Sequence, residues 1–303
     1  MEKPSSNSGR NLLLLLAVLA VCACGCMTCT LVGAWGLGLA AFGAANVEEE
    51  GFMDVVSGLG GTDRASAERA ADEAFEVGSI ADLTLDIDVG EVTVDATDGQ
   101  RIVVTGRVRA WGLNNVEARE RLDRVQLTFE HEGDKLRIET DVDAPAGGWS
   151  GRSPRVELLI EVPRRTTVTA TANVGDVRVR NTTGDLDIST DVGRVDVQDV
   201  RVERALTIVS DVASIGFAGA LTEGAEYELQ SDVGRISMVL PADSRFELDA
   251  RSDIGAVDVG FDVRGEHSGR LVGRTVTGAV NGGGSTTVTA RSNVGAVRID
   301  ASP

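Results

Sequence analysis

The chain has 303 residues, 42% of them hydrophobic and 25% charged, so wholesale disorder is excluded and one or two domains with a sizeable core are expected. Its net charge is −18 and it holds no Lys/Arg-rich run that could neutralise phosphates, which excludes a general nucleic-acid binder. Aromatics are only 4%, glycines number 36, and all four cysteines lie at positions 22, 24, 26 and 29; this composition suits small repeated β elements and excludes a disulfide-stapled or Cys/His zinc domain farther on.

Asn11 to Val47 carries no charge, and residues 12–45 are long enough and apolar enough for a membrane-spanning helix, which needs about 20 such residues. Lys3 and Arg10 precede this stretch and Glu48, Glu49 and Glu50 follow it. The positive-inside tendency then predicts a cytoplasmic tail over residues 1–11 and an extracytoplasmic remainder, a single-pass protein of the cell membrane. A cleaved signal peptide is the alternative, but its apolar region would be about 7–15 residues. Val21-Cys22-Ala23-Cys24 loosely resembles a lipoprotein processing site, yet apolar sequence continues well past it. The cysteines themselves suit small apolar filler, with metal binding or acylation as the sharper reading.

Residues 46–79 read as an acidic linker. Within them Asp63–Val77 is Ala-rich and charged, and predicts a short exposed helix stopped at Gly78.

Self-similarity decides the rest. The phrases IDVGEVTV, ANVGDVRV, TDVGRVDV, SDVASIGF, SDVGRISM, SDIGAVDV and SNVGAVRI align on a central residue at positions 90, 175, 193, 213, 234, 255 and 295. That residue is Gly90, Gly175, Gly193, Gly234, Gly255 and Gly295, with Ala213 in one copy, and it marks a structural corner free of Cβ clash. The last six copies are spaced by 18, 20, 21, 21 and 40 residues, and Thr277-Gly278-Ala279-Val280 supplies a worn copy inside the 40. Apolar residues recur seven, five and one before the corner and two and four after it, which predicts five buried rows. Leu186, Ile188, Val192, Val195 and Val197 show the pattern in one unit.

A unit this short cannot bury its apolar row alone, but stacked units can. The expected fold is therefore all-β: a right-handed parallel β-solenoid over residues 166–303 with about 20 residues per turn. An antiparallel sandwich with coincidental similarity is the competing reading. Residues 80–165 form the entry and capping region: after the first copy, residues 95–165 interrupt the pattern with a strand over Arg101–Val108, a helix over Asn115–Val125 and a hairpin about Glu132-Gly133-Asp134, and predict a cap on one end of the stack.

The repeat set, together with Ile160-Glu161-Val162-Pro163 and Val239-Leu240-Pro241, resembles the bacterial putative-adhesin domain of unknown function over about residues 75–301. The resemblance implies a right-handed β-solenoid at the bacterial envelope, often behind an amino-terminal membrane segment. It implies no catalytic residue.

Two before each corner sits an acid or amide: Asp88, Asn173, Asp191, Asp211, Asp232, Asp253 and Asn293. By parity this row points outward. Aspartates about 4.8 Å apart repel by roughly 0.9 kcal/mol per pair in water, so something must offset them. The plainer reading is a side-chain bond to backbone N–H at each corner, with uncharged Asn at both ends of the row. The sharper one is a calcium ladder on Asp191, Asp211, Asp232 and Asp253. Thr190, Ser210, Ser231, Ser252 and Ser292, three before the corner, face inward and satisfy corner backbone groups. No nucleophile elbow, phosphate loop or dinucleotide fingerprint occurs, and His131 and His267 fall at a hairpin turn and in a Gly-rich stretch. Trp111, Trp149 and the Gly265–Gly284 segments are the places where a binding surface would break the repeat.

The expected function is a non-enzymatic, membrane-anchored envelope protein, an adhesin or a binding and scaffold module that takes an envelope protein or a glycan and needs no cofactor. The alternatives are a carbohydrate-active β-helix enzyme and an accessory component of envelope stress sensing.

Overall fold

The computed structural model describes residues 65–144, 151–269 and 273–302. The expected tail, anchor and cysteine cluster and the linker up to residue 64 lie outside the described residues, as does Trp149. Among the described residues no helix is long and apolar enough to cross a membrane.

The described chain is nearly all β. It runs β1 (Ala65–Ala70), β2 (Glu73–Glu76), β3 (Ile80–Thr97), β4 (Arg101–Gly112), α1 (Asn115–Leu122), β5 (Val125–Glu132), β6 (Lys135–Val142), β7 (Arg155–Pro163), β8 (Arg165–Arg180) and β9 (Leu186–Gln198). It continues through β10 (Ala205–Ala218), β11 (Glu226–Val233), β12 (Ile236–Pro241), β13 (Phe246–Ile254), β14 (Val257–Val259), β15 (Val263–Gly269), β16 (Arg274–Val280), β17 (Thr287–Val294) and β18 (Val297–Ser302).

The repeats pair in parallel and in register. Leu83, Val168, Leu186, Leu206 and Tyr227 form one continuous row, and Val92, Val177, Val195, Ile215 and Ile236 another. Both rows are buried, as are the rows five before and four after the glycine, apart from the half-buried Val259. Together they make one apolar core. The rule behind this is local: β-branched residues at alternate positions fit a pleated strand with one dry face. Each fully buried aliphatic side chain contributes about 1.5–3 kcal/mol. Phe217 and Tyr227 supply bulk at mid-stack, with ring centroids 5.5 Å apart and edge-on.

Layer order departs from chain order at both ends. The last repeat, β17 and β18, lies between β11–β12 and β13–β14, parallel to both. It does not follow β13–β14 outward as even spacing predicts. The worn copy around Gly278 belongs to β16, which runs antiparallel to β13 and forms a hairpin with β15. That hairpin covers the outer edge of β13, which would otherwise offer unpaired backbone to another chain.

At the other end, β6 and β7 pair in parallel with β3 in the register of the repeat: Leu136 lies opposite Leu83 and Ile160 opposite Val94. The expected cap therefore contains a further layer, split by the 143–154 connection. The hairpin about Gly133 and the helix form where the sequence places them, the helix capped by Asn114, whose Oδ1 accepts from Val116 N and Glu117 N. β5 and β4 close this layer antiparallel to β6 and β7. The helix expected over Asp63–Val77 is instead β1 and β2, both antiparallel to β4. The free edge of β4 overrides the local helix preference of an Ala-rich segment.

The face assignment is checked by neighbours in β10. Ile208 is fully buried and Val209 is 37% exposed. Ile208→Ala is expected to cost about 2–5 kcal/mol in urea denaturation, whereas Val209→Ala stays within about 0.5 kcal/mol.

Candidate functional surface

The glycine row is the feature from which the outer surface is built. An added Cβ on Gly175 would overlap the carbonyl oxygen of Gly90, one on Gly193 that of Gly175, and one on Gly295 that of Gly234. Each glycine Cα thus sits on the carbonyl of the layer beside it, close enough for Cα–H···O contact. Ser231, Ser292 and Ser252 reach the same carbonyls from inside: their hydroxyls donate to the oxygens of Ala213 (3.2 Å), Gly234 (3.0 Å) and Gly295 (2.7 Å). Ser210 donates to Gln230 O at 3.5 Å, and the buried Thr190 Oγ1 has no hydrogen-bond partner among the described residues.

Four residues separate the buried position before the glycine from the buried position after it. Strict alternation cannot place all of them, and the residues on either side of the glycine turn outward. The Val/Ile row directly before the glycine, expected inside, is half-buried at Val89, Val174, Val192 and Val233 and exposed at Val212, Ile254 and Val294. Val89, Val174, Val192, Val212, Val233, Val294 and Ile254 pair in one unbroken ladder in that order. Val212, Val294 and Ile254 are 44%, 42% and 54% exposed. Six steps of about 4.8 Å make this an aliphatic ridge about 29 Å long.

Beside the ridge runs the acid and amide row, in the order Asp88, Asn173, Asp191, Asp211, Asp232, Asn293, Asp253. Asn293 is inside the row, not at its end, so the unbroken aspartate run is Asp191–Asp211–Asp232. The amides relieve the repulsion directly: Asn173 Nδ2 donates to Asp88 Oδ1 and Asn293 Nδ2 to Asp232 Oδ1, each at 2.8 Å. Arg251 Nε donates to Asp253 Oδ1 at 2.7 Å. Two of the calcium candidates, Asp232 and Asp253, thus already bind N–H donors, and among the described residues no three His, Cys, Asp or Glu side chains converge on a metal position.

The expected bond from each row member to a corner N–H is replaced. Gly234 N donates to Val294 O and Gly295 N to Ile254 O, both at 2.9 Å, so the ladder itself satisfies these groups. Asp88 does accept a backbone bond, from Val142 N in the neighbouring layer at 2.9 Å.

In the connection before β9, Asp185 accepts from Arg204 N (2.8 Å), Ala205 N (3.2 Å) and Arg204 Nε (2.7 Å). Partial burial pushes its carboxyl up, but these backbone donors and the guanidinium outweigh it and hold the group below the usual aspartate value. The buried Tyr227 is held above the ordinary phenol value by desolvation, while its oxygen accepts from Thr222 N at 2.9 Å.

The other sequence candidates are dispersed. Trp111 lies in β4 under the guanidinium groups of Arg152 (4.6 Å to the ring centre) and Arg109 (5.6 Å). His131 Nε2 is 2.8 Å from Gly133 O, and its ring lies 5.3 Å from that of Phe75. His267 is exposed on β15. The ridge went unrecognised in the sequence because its residues are apolar; the signal was the broken alternation at the glycine.

No family model and no curated protein matches the chain. Among solved structures it is similar to a "putative cell adhesion protein" from Clostridium sporogenes, at 16% identity and TM-score 0.48, over 78% of this chain and 100% of the other. It is also similar to a "putative adhesin" from Bacteroides fragilis, at 13% identity and TM-score 0.38, over 76% of this chain and 97% of the other. A "putative lipid binding protein" from Parabacteroides distasonis aligns at 8% identity and TM-score 0.25, over 76% of this chain and 96% of the other.

Two measurements test the surface. Gly193→Ala is expected to lose about 3 kcal/mol of stability from overlap and backbone strain, while Ala213→Gly, at the same row position without a positive φ, loses about 1 kcal/mol. Asp185 has a lowered pKa in the folded state, so its stabilisation is present above the unfolded value and is lost as the pH falls through the folded one. Asp185→Asn should therefore lower the melting temperature by a few degrees at neutral pH, and the gap should close as the pH falls below the ordinary aspartate value.

Proposed function

We infer that the chain is a non-enzymatic binding module, built as a parallel β-solenoid and presented outside the cell by an amino-terminal membrane anchor. The observation that carries this reading is the partly exposed aliphatic ridge, open at Val212, Ile254 and Val294, with its parallel acid and amide row. Contiguous apolar surface rimmed by polar groups marks interaction sites. Stacking repeats its chemistry every 4.8 Å or so, which gives an extended, regular contact line. The chemistry fits an envelope protein that offers an apolar groove with a basic rim. The acidic row disfavours direct adsorption to anionic lipid. A glycan partner is the second reading, favoured by the guanidinium-stacked Trp111 at the opposite end from the β15–β16 hairpin.

Cells displaying the full chain are compared with cells displaying Val212→Lys/Val294→Lys and with cells lacking residues 80–303, on immobilised envelope protein fractions and on a glycan array. Retention on protein that is lost in both variants is expected. Binding that survives the deletion would refute the module, and shortening of arrayed glycans would favour the carbohydrate-active alternative.

A further inference from the structure

The last layer of the chain lies out of sequence order. β17 and β18 come after β13–β16 in sequence but occupy the slot between β11–β12 and β13–β14. Their partners on both sides are the repeat rows themselves: Val288 between Tyr227 and Leu248, Ala290 between Leu229 and Ala250, and Val297 between Ile236 and Val257. A second copy of the chain offers the same slot and the same layer.

The connection from β16 is pinned at both ends. Asn281 Nδ2 donates to Ala242 O (3.0 Å) and Ser244 O (2.9 Å). Thr286 Oγ1 donates to Thr222 O at 2.9 Å and accepts from Gly224 N at 3.2 Å. Between the pins lie Gly282, Gly283, Gly284 and Ser285, with φ of +94° at Gly282 and +80° at Gly283, closed by a Gly283 N to Val280 O bond of 3.0 Å. Among the described residues a Cβ on Gly282 would meet nothing within 4 Å, so its conformation is set by the turn and not by packing.

We propose that these four residues are a hinge, and that β17–β18 exchange reciprocally between two copies to form a closed, two-fold dimer. Exchange leaves the Asn281 pin within its own chain and remakes the Thr286 pin and the β17–β18 ladder bonds with the second copy. The differences between closed and exchanged forms are confined to the hinge turn and the entropy of association. The proposal is independent of the binding role argued above.

Gln230 and Arg291 are in-register neighbours on β11 and β17, so cysteines there fall within disulfide reach. The test uses the full chain in dodecyl maltoside, with Cys22, Cys24, Cys26 and Cys29 replaced by Ser. Gln230→Cys and Arg291→Cys copies carrying different tags are co-expressed, oxidised and purified through one tag. A disulfide between the two tags, several-fold above that formed by Arg291→Cys alone, is the expected result, and its yield should rise when residues 282–284 are deleted. Should that deletion fail to fold, the pair with the intact hinge decides. Absence of the cross-tag bond, with the Gln230→Cys/Arg291→Cys double variant closing only within one chain, overturns the proposal; equal bonding by Arg291→Cys alone overturns it too.

Discussion

A carbonyl oxygen laid against a glycine Cα, repeated from layer to layer, is the constraint on which the architecture rests. The contact tolerates no Cβ, and it fixes the axial separation and lateral register of neighbouring repeats at the same point. With that point fixed, the inward rows on either side meet their equivalents, and leucine lies on leucine and valine on valine. The serines add a second hold on the same carbonyls from within the core. Ala213 shows how narrow the tolerance is: it keeps a negative φ where the neighbouring glycines do not, and so carries its methyl group without the overlap.

The same regularity explains why the ends are irregular. A ladder of identical layers has no intrinsic terminus, so each end must be closed by strands of a different kind. At one end this is β15–β16; at the other it is β4 and β5, with β1 and β2 on the flank of β4. Both closures are antiparallel, which the short hairpin connections allow. Because these closures are interposed in the sequence, the chain must cross a layer and return, as it does when β17 and β18 enter between strands already made.

The inward rows were legible from Leu186, Ile188, Val195 and Val197 and their counterparts, because period-2 burial depends only on each strand's own sequence. The hairpin at Gly133 and the cap at Asn114 were legible for the same reason. Layer order was not. Val288 fits beside Leu248 as readily as beside Tyr227, and identical columns cannot say which neighbours they have; that single ambiguity misplaced Asn293 and overcounted the aspartate run. Asp63–Val77 was misread because its fate is set by the edge of β4, a tertiary fact. A recurring valine row reads as buried, whereas the bend at the glycine leaves adjacent residues on one side and opens part of the ridge.

The connections between layers differ in a way that bears on how such a chain can change length. From β8 to β9 and from β9 to β10 the polypeptide steps directly to the adjoining layer, 18 and then 20 residues on. A tandem duplication there would slot in as one more storey and leave every other pairing intact. Beyond β12 the path skips a storey and doubles back, so an added unit would be stranded between strands already committed to each other. Evolutionary growth of this architecture is therefore confined to its middle, and the two ends travel apart unchanged.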